Sequence, residues 1–444
     1  LIAQVRSFLS KLVAGDLPRA TAATGALIVG SRVLGLALSI VLARALGPAD
    51  YGVFAVVLSL ANFATLPMRA GMPTLLERET SRAGTRGTWA SANGLLRWGL
   101  RNSLIAACVV QLLALPVIFS SAVEPAMINA YLLVVPVALG TALLGILAAP
   151  VRGFGRVALS IVPDLVLRPA LALLALLAVA AITWAPPLDA TGVLSIHLGS
   201  LAVSCFAAWA IYRHLLPDAA RSAVPTRDTP VWWRSIRWLA LIAGVQMVNT
   251  NADLVLLGSL STEEEAGIYR IASQFSVFVT FGLGVVSSVV APRYASLHAS
   301  GKMAELASLA RRSSLASLVM AVPVAGLLAI VGPTVLARTT GPAFAASYVP
   351  LMILCVAQLV SAAAGPAEQL LNMTGHERDT LLGVFLSAIA NLLLNALLIP
   401  RYGATGAAIG TALSVGVWNG FLVYAARNRL GIRPLSQHPP VDQI

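Results

Sequence analysis

The sequence predicts an all-α polytopic membrane protein, with 12 transmembrane helices in two pseudo-symmetric six-helix lobes around a central cleft. Three observations carry that prediction: an apolar composition with few charges, apolar runs long enough to cross a bilayer, and short motifs that recur in order in both halves. Hydrophobic residues make up 58% of the 444-residue chain and charged residues 11%, whereas a soluble domain carries about a quarter charged residues. A soluble fold is excluded. Leu-, Ala- and Gly-rich runs without sustained polar/apolar alternation favour helices over a barrel, whose strands must alternate a lipid face with a lumen face.

Residues 1–20 open the chain. Ile2, Val5, Leu9 and Leu12 share one helical face while Gln4, Arg6 and Lys11 lie elsewhere, the pattern of a short amphipathic helix on the cytoplasmic surface. A hydrocarbon core takes roughly 20 apolar residues per helix. Spans are predicted at roughly 21–46, 51–73, 95–120, 126–150, 158–183, 191–213, 236–259, 267–291, 313–337, 347–372, 380–400 and 404–426. Ala43-Arg44-Ala45 mimics a signal-peptidase site, but Arg32 interrupts the run before it, which is too long for a signal h-region. The predicted domains are therefore an interfacial segment 1–20, an N-lobe 21–213, a cytoplasmic linker 214–235, a C-lobe 236–426 and a cytoplasmic tail 427–444.

Loop charges test the span count independently, because Lys and Arg are retained on the cytoplasmic side. Arg78, Arg82 and Arg86, then Arg152 and Arg156, then Arg213, Arg221, Arg227 and Arg234 all fall on one predicted side. Arg293, Lys302, Arg311, Arg312, Arg378, Arg427, Arg429 and Arg433 continue the series. The alternate loops hold only Arg44, Arg338 and Arg401, alongside Asp50, Glu124, Asp189 and Glu263-Glu264-Glu265. Both termini are accordingly placed in the cytoplasm. The formal charge of +12 is explained by these loops, so no nucleic-acid partner is expected.

Three motif pairs indicate an internal duplication. Gly52 in Asp50-Tyr51-Gly52-Val53-Phe54 matches Gly267 in Ala266-Gly267-Ile268-Tyr269. Gly155 in Arg152-Gly153-Phe154-Gly155 matches Gly375 in Asn372-Met373-Thr374-Gly375, and Ala190-Thr191-Gly192 matches Ala404-Thr405-Gly406. Six spans per half keep both halves in one orientation, which places a cleft between two lobes and the substrate near the midplane. That arrangement implies transport.

Charged and polar residues within spans are costly and default to function. Arg32 sits mid-span, too far from either end to snorkel easily, and its permanently charged fork suits a diphosphate. Asp164 and Arg168 lie four apart on one face with Pro163 and Pro169 perturbing the backbone, a spacing that fits structural pairing and function equally. Arg69 and Arg270, close to span ends, either snorkel or bind substrate. Gln246, Asn249, Thr250 and Asp253 recur at helical spacing on span 7, as do Gln358, Ser361, Gly365, Glu368 and Asn372 on span 10 and Ser387, Asn391 and Asn395 on span 11. These faces read as cavity lining or as helix-to-helix hydrogen bonding. Arg32, Arg168, Arg69, Arg270, Gln246 and Asn249 are thus the candidate substrate contacts. Asp253, Glu368 and Asp164 are candidates to take up a coupling proton or sodium ion.

No metal or cofactor is expected. Cys108, Cys205 and Cys355 lack CxxC pairing and read as buried small hydrophobes, and His214, His298 and His376 lack ligand spacing. The longest predicted connection is short and carries no nucleophile motif, so an enzyme acting on polyprenyl-linked sugars is not expected.

Ser31-Arg32-Val33-Leu34-Gly35, Leu46-Gly47-Pro48-Ala49-Asp50-Tyr51-Gly52, Gly267-Ile268-Tyr269, Pro292 and Tyr402-Gly403-Ala404-Thr405-Gly406 together resemble the polysaccharide transporter family of O-antigen and exopolysaccharide flippases, within the multidrug/oligosaccharidyl-lipid/polysaccharide exporter superfamily. The resemblance covers essentially the whole chain. It implies an undecaprenyl-diphosphate-linked oligosaccharide, moved from the cytoplasmic to the periplasmic leaflet of a bacterial inner membrane by alternating access. Membrane lipids and a polysaccharide polymerase or export machinery are the further partners expected. One bundle contains both lobes, so a monomer is expected. Ser31 to Gly35 is also similar to the opening of lipid II flippases, which typically have fourteen spans. Multidrug exporters share the twelve-helix plan, but an intramembrane Arg suits their cationic cargo poorly.

Overall fold

A computed structural model of the chain describes residues 19–69, 71–120, 125–181, 188–226 and 229–432. The interfacial helix expected at residues 2–13, Glu124, Arg227 and residues 433–444 of the expected tail lie outside them. Among the described residues every regular element is helical. Ten helical stretches are long and apolar enough to cross a membrane, and the chain divides into two compact units, Arg19–Asn251 and the chain from Ala252 onward.

In the first unit α1 runs Arg19–Arg69, α2 Met72–Arg86, α3 Trp89–Ile118, α4 Ile128–Leu132, α5 Val134–Gly153, α6 Val157–Val162, α7 Arg168–Ala181, α8 Ala190–Leu215, α9 Asp218–Ser222 and α10 Thr229–Leu260, within which the unit ends. As one rod the 51 residues of α1 would reach about 77 Å, more than twice the hydrocarbon thickness. The rod is broken at Gly47, with φ 73° and ψ 176°, just before Pro48. That backbone region is essentially reserved for glycine and costs about 1–3 kcal/mol for other residues. Proline then supplies no N–H to continue the preceding helix. Predicted spans 1 and 2 are therefore the two arms of α1.

The connection expected between spans 2 and 3 contains a helix. Met72, Leu75, Leu76, Thr80 and Ala83 of α2 are buried at spacings of three and four residues, while Arg78, Arg82 and Arg86 are exposed. Glu79 bridges Arg78 at 3.2 Å and Arg82 at 3.0 Å. These exposed pairs contribute little, about 0–1 kcal/mol each, so apolar burial is what holds the helix. Leu75 and Leu76 join Leu95, Ile146 and Trp232 in one core, and Ala61, Met68, Val135, Ala138 and Leu201 form another.

The second unit takes the end of α10 and then α11 Glu263–Ser276, α12 Phe281–Ala299, α13 Met303–Thr339, α14 Tyr348–Ala364, α15 Ala367–Met373 and α16 Glu377–Leu430. The acidic run read from the sequence opens α11: Thr262 Oγ1 accepts from the Glu265 N–H at 3.3 Å, and Glu263, Glu264 and Glu265 fill the first turn. Negative charge there complements the helix dipole. Asp189 plays the same capping part for α8, accepting from Gly192 N–H at 2.8 Å. The 54 residues of α16 break at Gly403, φ 51° and ψ −130°. Beyond the break Ser387 Oγ donates to the Ser414 carbonyl at 3.1 Å, so the two arms run back along each other. Gly406 and Gly410 let them approach closely, since a Cβ on either would meet the Leu398 carbonyl or Asn395 Oδ1. Val290, Tyr294, Leu306, Leu370 and Leu422 form this unit's core.

Large apolar side chains also cover the outside. Leu113 of α3 is 71% exposed and Ile330 of α13 82%, surfaces that suit acyl chains rather than water. Cys108 departs from expectation here: it is exposed on α3 beside Ile105 and Leu112, whereas Cys205 is half-buried and Cys355 buried. Its apolar span faces outward at that position, and composition alone does not distinguish a lipid-facing from a core-facing turn.

Candidate functional site

The first unit gathers its polar interior at the junction of α6 and α7. Between Pro163 and Leu167 the backbone makes a π-helical turn, in which the Arg168 N–H reaches back to the Pro163 carbonyl. Proline at 163 and at 169 removes two N–H donors from the α-helical ladder, which is the physical origin of the slack. The Asp164 carbonyl, freed from its usual partner, accepts instead from Arg168 Nε at 3.4 Å. Arg168 Nη2 also meets Asp164 Oδ1 at 2.8 Å, and Arg168 Nη1 lies 3.5 Å from His197 Nε2 on α8.

His197 is buried, with Phe54 of α1 edge-on to its ring at 6.1 Å. Since a guanidinium only donates, His197 Nε2 accepts and the ring proton sits on Nδ1. That Nδ1 has no partner among the described residues. Arg69, at the end of α1, is half-buried, and Gly145 of α5 leaves room for its guanidinium. Arg69 lies in the electrostatic field of Asp164, Arg152 and Arg168. Arg152 is paired with Glu77 at 2.9 Å. Among the described residues the cluster sets three guanidiniums, Arg69, Arg152 and Arg168, against two carboxylates, Asp164 and Glu77, a surplus of one positive charge. In a low dielectric such a surplus attracts an anion with several oxygens.

The second unit centres its polar interior on Asp253, near the end of α10 and 7% exposed. Asp253 Oδ2 accepts from Tyr269 Oη at 2.6 Å and Thr411 Oγ1 at 2.9 Å, and Oδ1 accepts from Asn391 Nδ2 at 2.8 Å and Asn395 Nδ2 at 2.6 Å. Four neutral donors thus surround one carboxylate, and it makes no ion pair among the described residues. Tyr269 and Thr411 contact each other at 2.9 Å, and Asn395 Nδ2 reaches Asn391 Oδ1 at 3.2 Å. Asn395 Oδ1 is buried without a partner among the described residues. A buried intramembrane carboxylate is by default a candidate for holding a proton or small cation.

The motif registers read from the sequence pair residues of these two interiors. The register that pairs Gly52 with Gly267 pairs Phe54 with Tyr269, and the one that pairs Gly192 with Gly406 pairs His197 with Thr411.

Of the candidates read from sequence, the fold brings Arg69, Asp164 and Arg168 into one electrostatic neighbourhood and puts Asp253 in a network of its own. Arg32 is exposed on α1 with no hydrogen-bond partner among the described residues. Along α10 Gln246 is exposed, Asn249 half-buried and Asp253 buried, so one helical stripe passes through three environments. Arg270 is half-buried beside Tyr269. Glu368 is half-buried in the first turn of α15, just after the chain breaks at Gly365-Pro366. On span 10 Ser361 accepts from Asn419 at 3.0 Å, which is helix-to-helix bonding. His197 and Thr411 were not among the residues singled out, and Tyr269 was noticed only as part of a motif. Their one sequence signal is the repeat register, which sets each opposite a residue at a comparable interior position.

Residues 18–298 match a family model described as polysaccharide biosynthesis protein. A curated relative, the probable flippase AglR of Haloferax volcanii, is 26% identical over 198 residues, 43% of this chain and 41% of that protein. The match thus spans about two fifths of the relative's length. Among solved structures, the chain is similar to an inward-facing multidrug resistance MATE family transporter of the MOP superfamily, with a TM-score of 0.71 and 13% identity over 91% of this chain and 98% of that one. It is also similar to the lipid II flippase MurJ in an inward closed conformation, with a TM-score of 0.69 and 12% identity over 91% and 87% of the two chains. At these identities the likeness establishes the fold alone.

Proposed function

The chain belongs to the polysaccharide biosynthesis protein family, and we propose that it is a flippase that moves an undecaprenyl-diphosphate-linked oligosaccharide from the cytoplasmic to the periplasmic leaflet of a bacterial inner membrane. The cargo is an O-antigen or exopolysaccharide repeat unit, carried by alternating access. The observation that supports this reading is the surplus of guanidinium charge held inside the first unit, with Arg69 in the electrostatic field of the Arg168–Asp164 pair. A diphosphate offers the oxygens those forks need, two parallel bonds per guanidinium. A cationic drug would meet repulsion at the same place.

Twelve crossings follow if the ten long apolar helices are counted with the breaks at Gly47 and Gly403, each of which splits one helix into two. With both termini cytoplasmic, Arg78, Arg82 and Arg86 on α2 lie at the cytoplasmic headgroups. Arg32 adds a cation on the first arm of α1, and Gln246 and Asn249 of α10 are the polar contacts for the sugar. Asp253 is the carboxylate assigned to the coupling proton or sodium ion, because it is buried without an ion pair among the described residues while Asp164 is engaged by Arg168. The protein moves its cargo without chemistry, so no step breaks a bond.

The test is reconstitution of the purified protein in liposomes with fluorescent undecaprenyl diphosphate oligosaccharide, scoring leaflet exchange by quenching, with lipid II and a cationic dye as comparison cargoes. Protein-dependent movement of the oligosaccharide lipid is expected. Movement of lipid II or of the dye alone would replace this reading with the corresponding one.

A further inference from the structure

Arg168 is engaged in a way that the transport of an anion would have to undo. Its guanidinium is held from three directions: the Asp164 carboxylate at 2.8 Å, the Asp164 carbonyl at 3.4 Å and His197 Nε2 at 3.5 Å. Two of the three belong to one residue, and the carbonyl is available only because the π-helical turn diverts the Arg168 N–H to Pro163. The partners are not equally committed. His197 is 8% exposed, whereas the Asp164 side chain is 45% exposed against 26% for Arg168. Asp164 is thus the partner with room to leave.

A carrier that binds a diphosphate in one leaflet and releases it in the other must also return without cargo. An arginine left unpaired in a low-dielectric interior is strongly unfavourable, so the empty protein needs a counter-charge of its own. We propose that Asp164 is that counter-charge: a built-in surrogate anion that occupies Arg168 in the unloaded protein and is displaced from it by a phosphate oxygen of the cargo. His197 is the positioning residue, accepting from Nη1 whichever anion is present and so keeping the guanidinium fork aimed. The proposal rests on the flippase reading for the identity of the cargo, and it assigns Asp164 to the anion step rather than to cation coupling.

Competition gives it an unusual signature. Asp164→Asn removes the competitor and leaves Arg168 in place, so affinity for a diphosphate rises while the return of the empty protein slows. The probe is farnesyl diphosphate, titrated onto the purified full-length protein in detergent micelles by calorimetry. Asp164→Asn is expected to bind it about tenfold more tightly than the wild type, equivalent to ~1.4 kcal/mol. Asp164→Glu, which keeps the charge, is expected to stay close to the wild-type affinity. In an Arg168→Gln background the Asp164→Asn change is expected to alter nothing, because the competition no longer exists. Elution volume and melting temperature establish that each variant is folded.

Unchanged or weaker binding by folded Asp164→Asn overturns the proposal, as does a wild-type protein that binds no farnesyl diphosphate. A tighter-binding Asp164→Asn whose net flipping of fluorescent undecaprenyl diphosphate oligosaccharide is slowed, with one-for-one exchange across the bilayer retained, supports it. Competition in the binding assay together with no flipping by the wild type leaves the surrogate anion standing and removes the flippase reading instead.

Discussion

Replacing Asp253 by Asn and by Ala separates the charge of the second unit's network from its scaffolding. Asp253 accepts four hydrogen bonds, from Tyr269, Thr411, Asn391 and Asn395. In Asp253→Ala Tyr269 keeps Thr411 at 2.9 Å, Thr411 the Ala407 carbonyl at 2.9 Å and Asn395 the Asn391 Oδ1 at 3.2 Å, so Asn391, left with Ser414 Oγ at 3.5 Å, is the donor that loses its close partner. An orphaned donor costs roughly 1–3 kcal/mol, and relief of the buried carboxylate's desolvation offsets part of the loss. A net destabilisation of about 1–3 kcal/mol follows.

Asp253→Asn is a different perturbation. Its amide oxygen still accepts from the two asparagines, and its NH2 donates to the Tyr269 and Thr411 hydroxyls, which accept as readily as they donate. The expected cost is below about 1 kcal/mol, with coupled transport abolished because no negative charge remains to hold a cation. Denaturation of the purified protein in mixed micelles measures the first quantity, and gradient-driven flipping in liposomes the second. If Asp253→Asn destabilises as much as Asp253→Ala, the charge itself is holding the helices together and the separation of roles is wrong. If it transports normally, Asp253 does not couple transport.

Further outcomes follow from the same geometry. Gly403→Ala places a Cβ at φ 51° and against the Glu265 carboxylate, whose Oε2 accepts the Ala404 N–H, and should cost about 1–3 kcal/mol in micelle denaturation. Arg32→Ala should preserve insertion and stability and lose transport, with Arg32→Lys partly impaired for want of the bidentate fork; normal flipping by Arg32→Ala would remove Arg32 from the mechanism. Glu265→Gln keeps an acceptor for Ala404 and should cost less than about 1 kcal/mol, so a larger loss would mean that the charge of Glu265 is needed at the Gly403 break.

The fold class was legible because apolar run length and low charge density are bulk properties that need no tertiary information. Helix breaks were legible where a residue has one physical use, as with Gly47-Pro48 and Gly403, which fall between predicted spans, whereas the caps at Asp189 and Thr262 lie in stretches that read as acidic loops. The helix Met72–Arg86 was not, because its charge reads as a loop until its buried face is seen. At the site, the Asp164–Arg168 pair followed from i,i+4 spacing, and the asparagines of span 11 from theirs. Their joint engagement of Asp253 did not follow, since Asn391 and Asn395 stand 138 and 142 residues away from it in sequence. His197 was invisible for the same reason: a lone histidine on an apolar helix acquires meaning only from the arginine that folding brings to it.

Whether guanidinium groups inside the first unit receive the diphosphate of a lipid-linked oligosaccharide is decided by flipping assays on Arg69→Gln, Arg168→Gln and their combination, with insertion and melting temperature matched to the wild type. Each single variant should slow movement of the undecaprenyl diphosphate oligosaccharide by about tenfold to a hundredfold, the effect of losing one charge-assisted contact of ~1.5–3 kcal/mol, and the double variant should abolish it. Movement at the wild-type rate by the folded double variant would mean that these guanidinium groups do not receive the diphosphate.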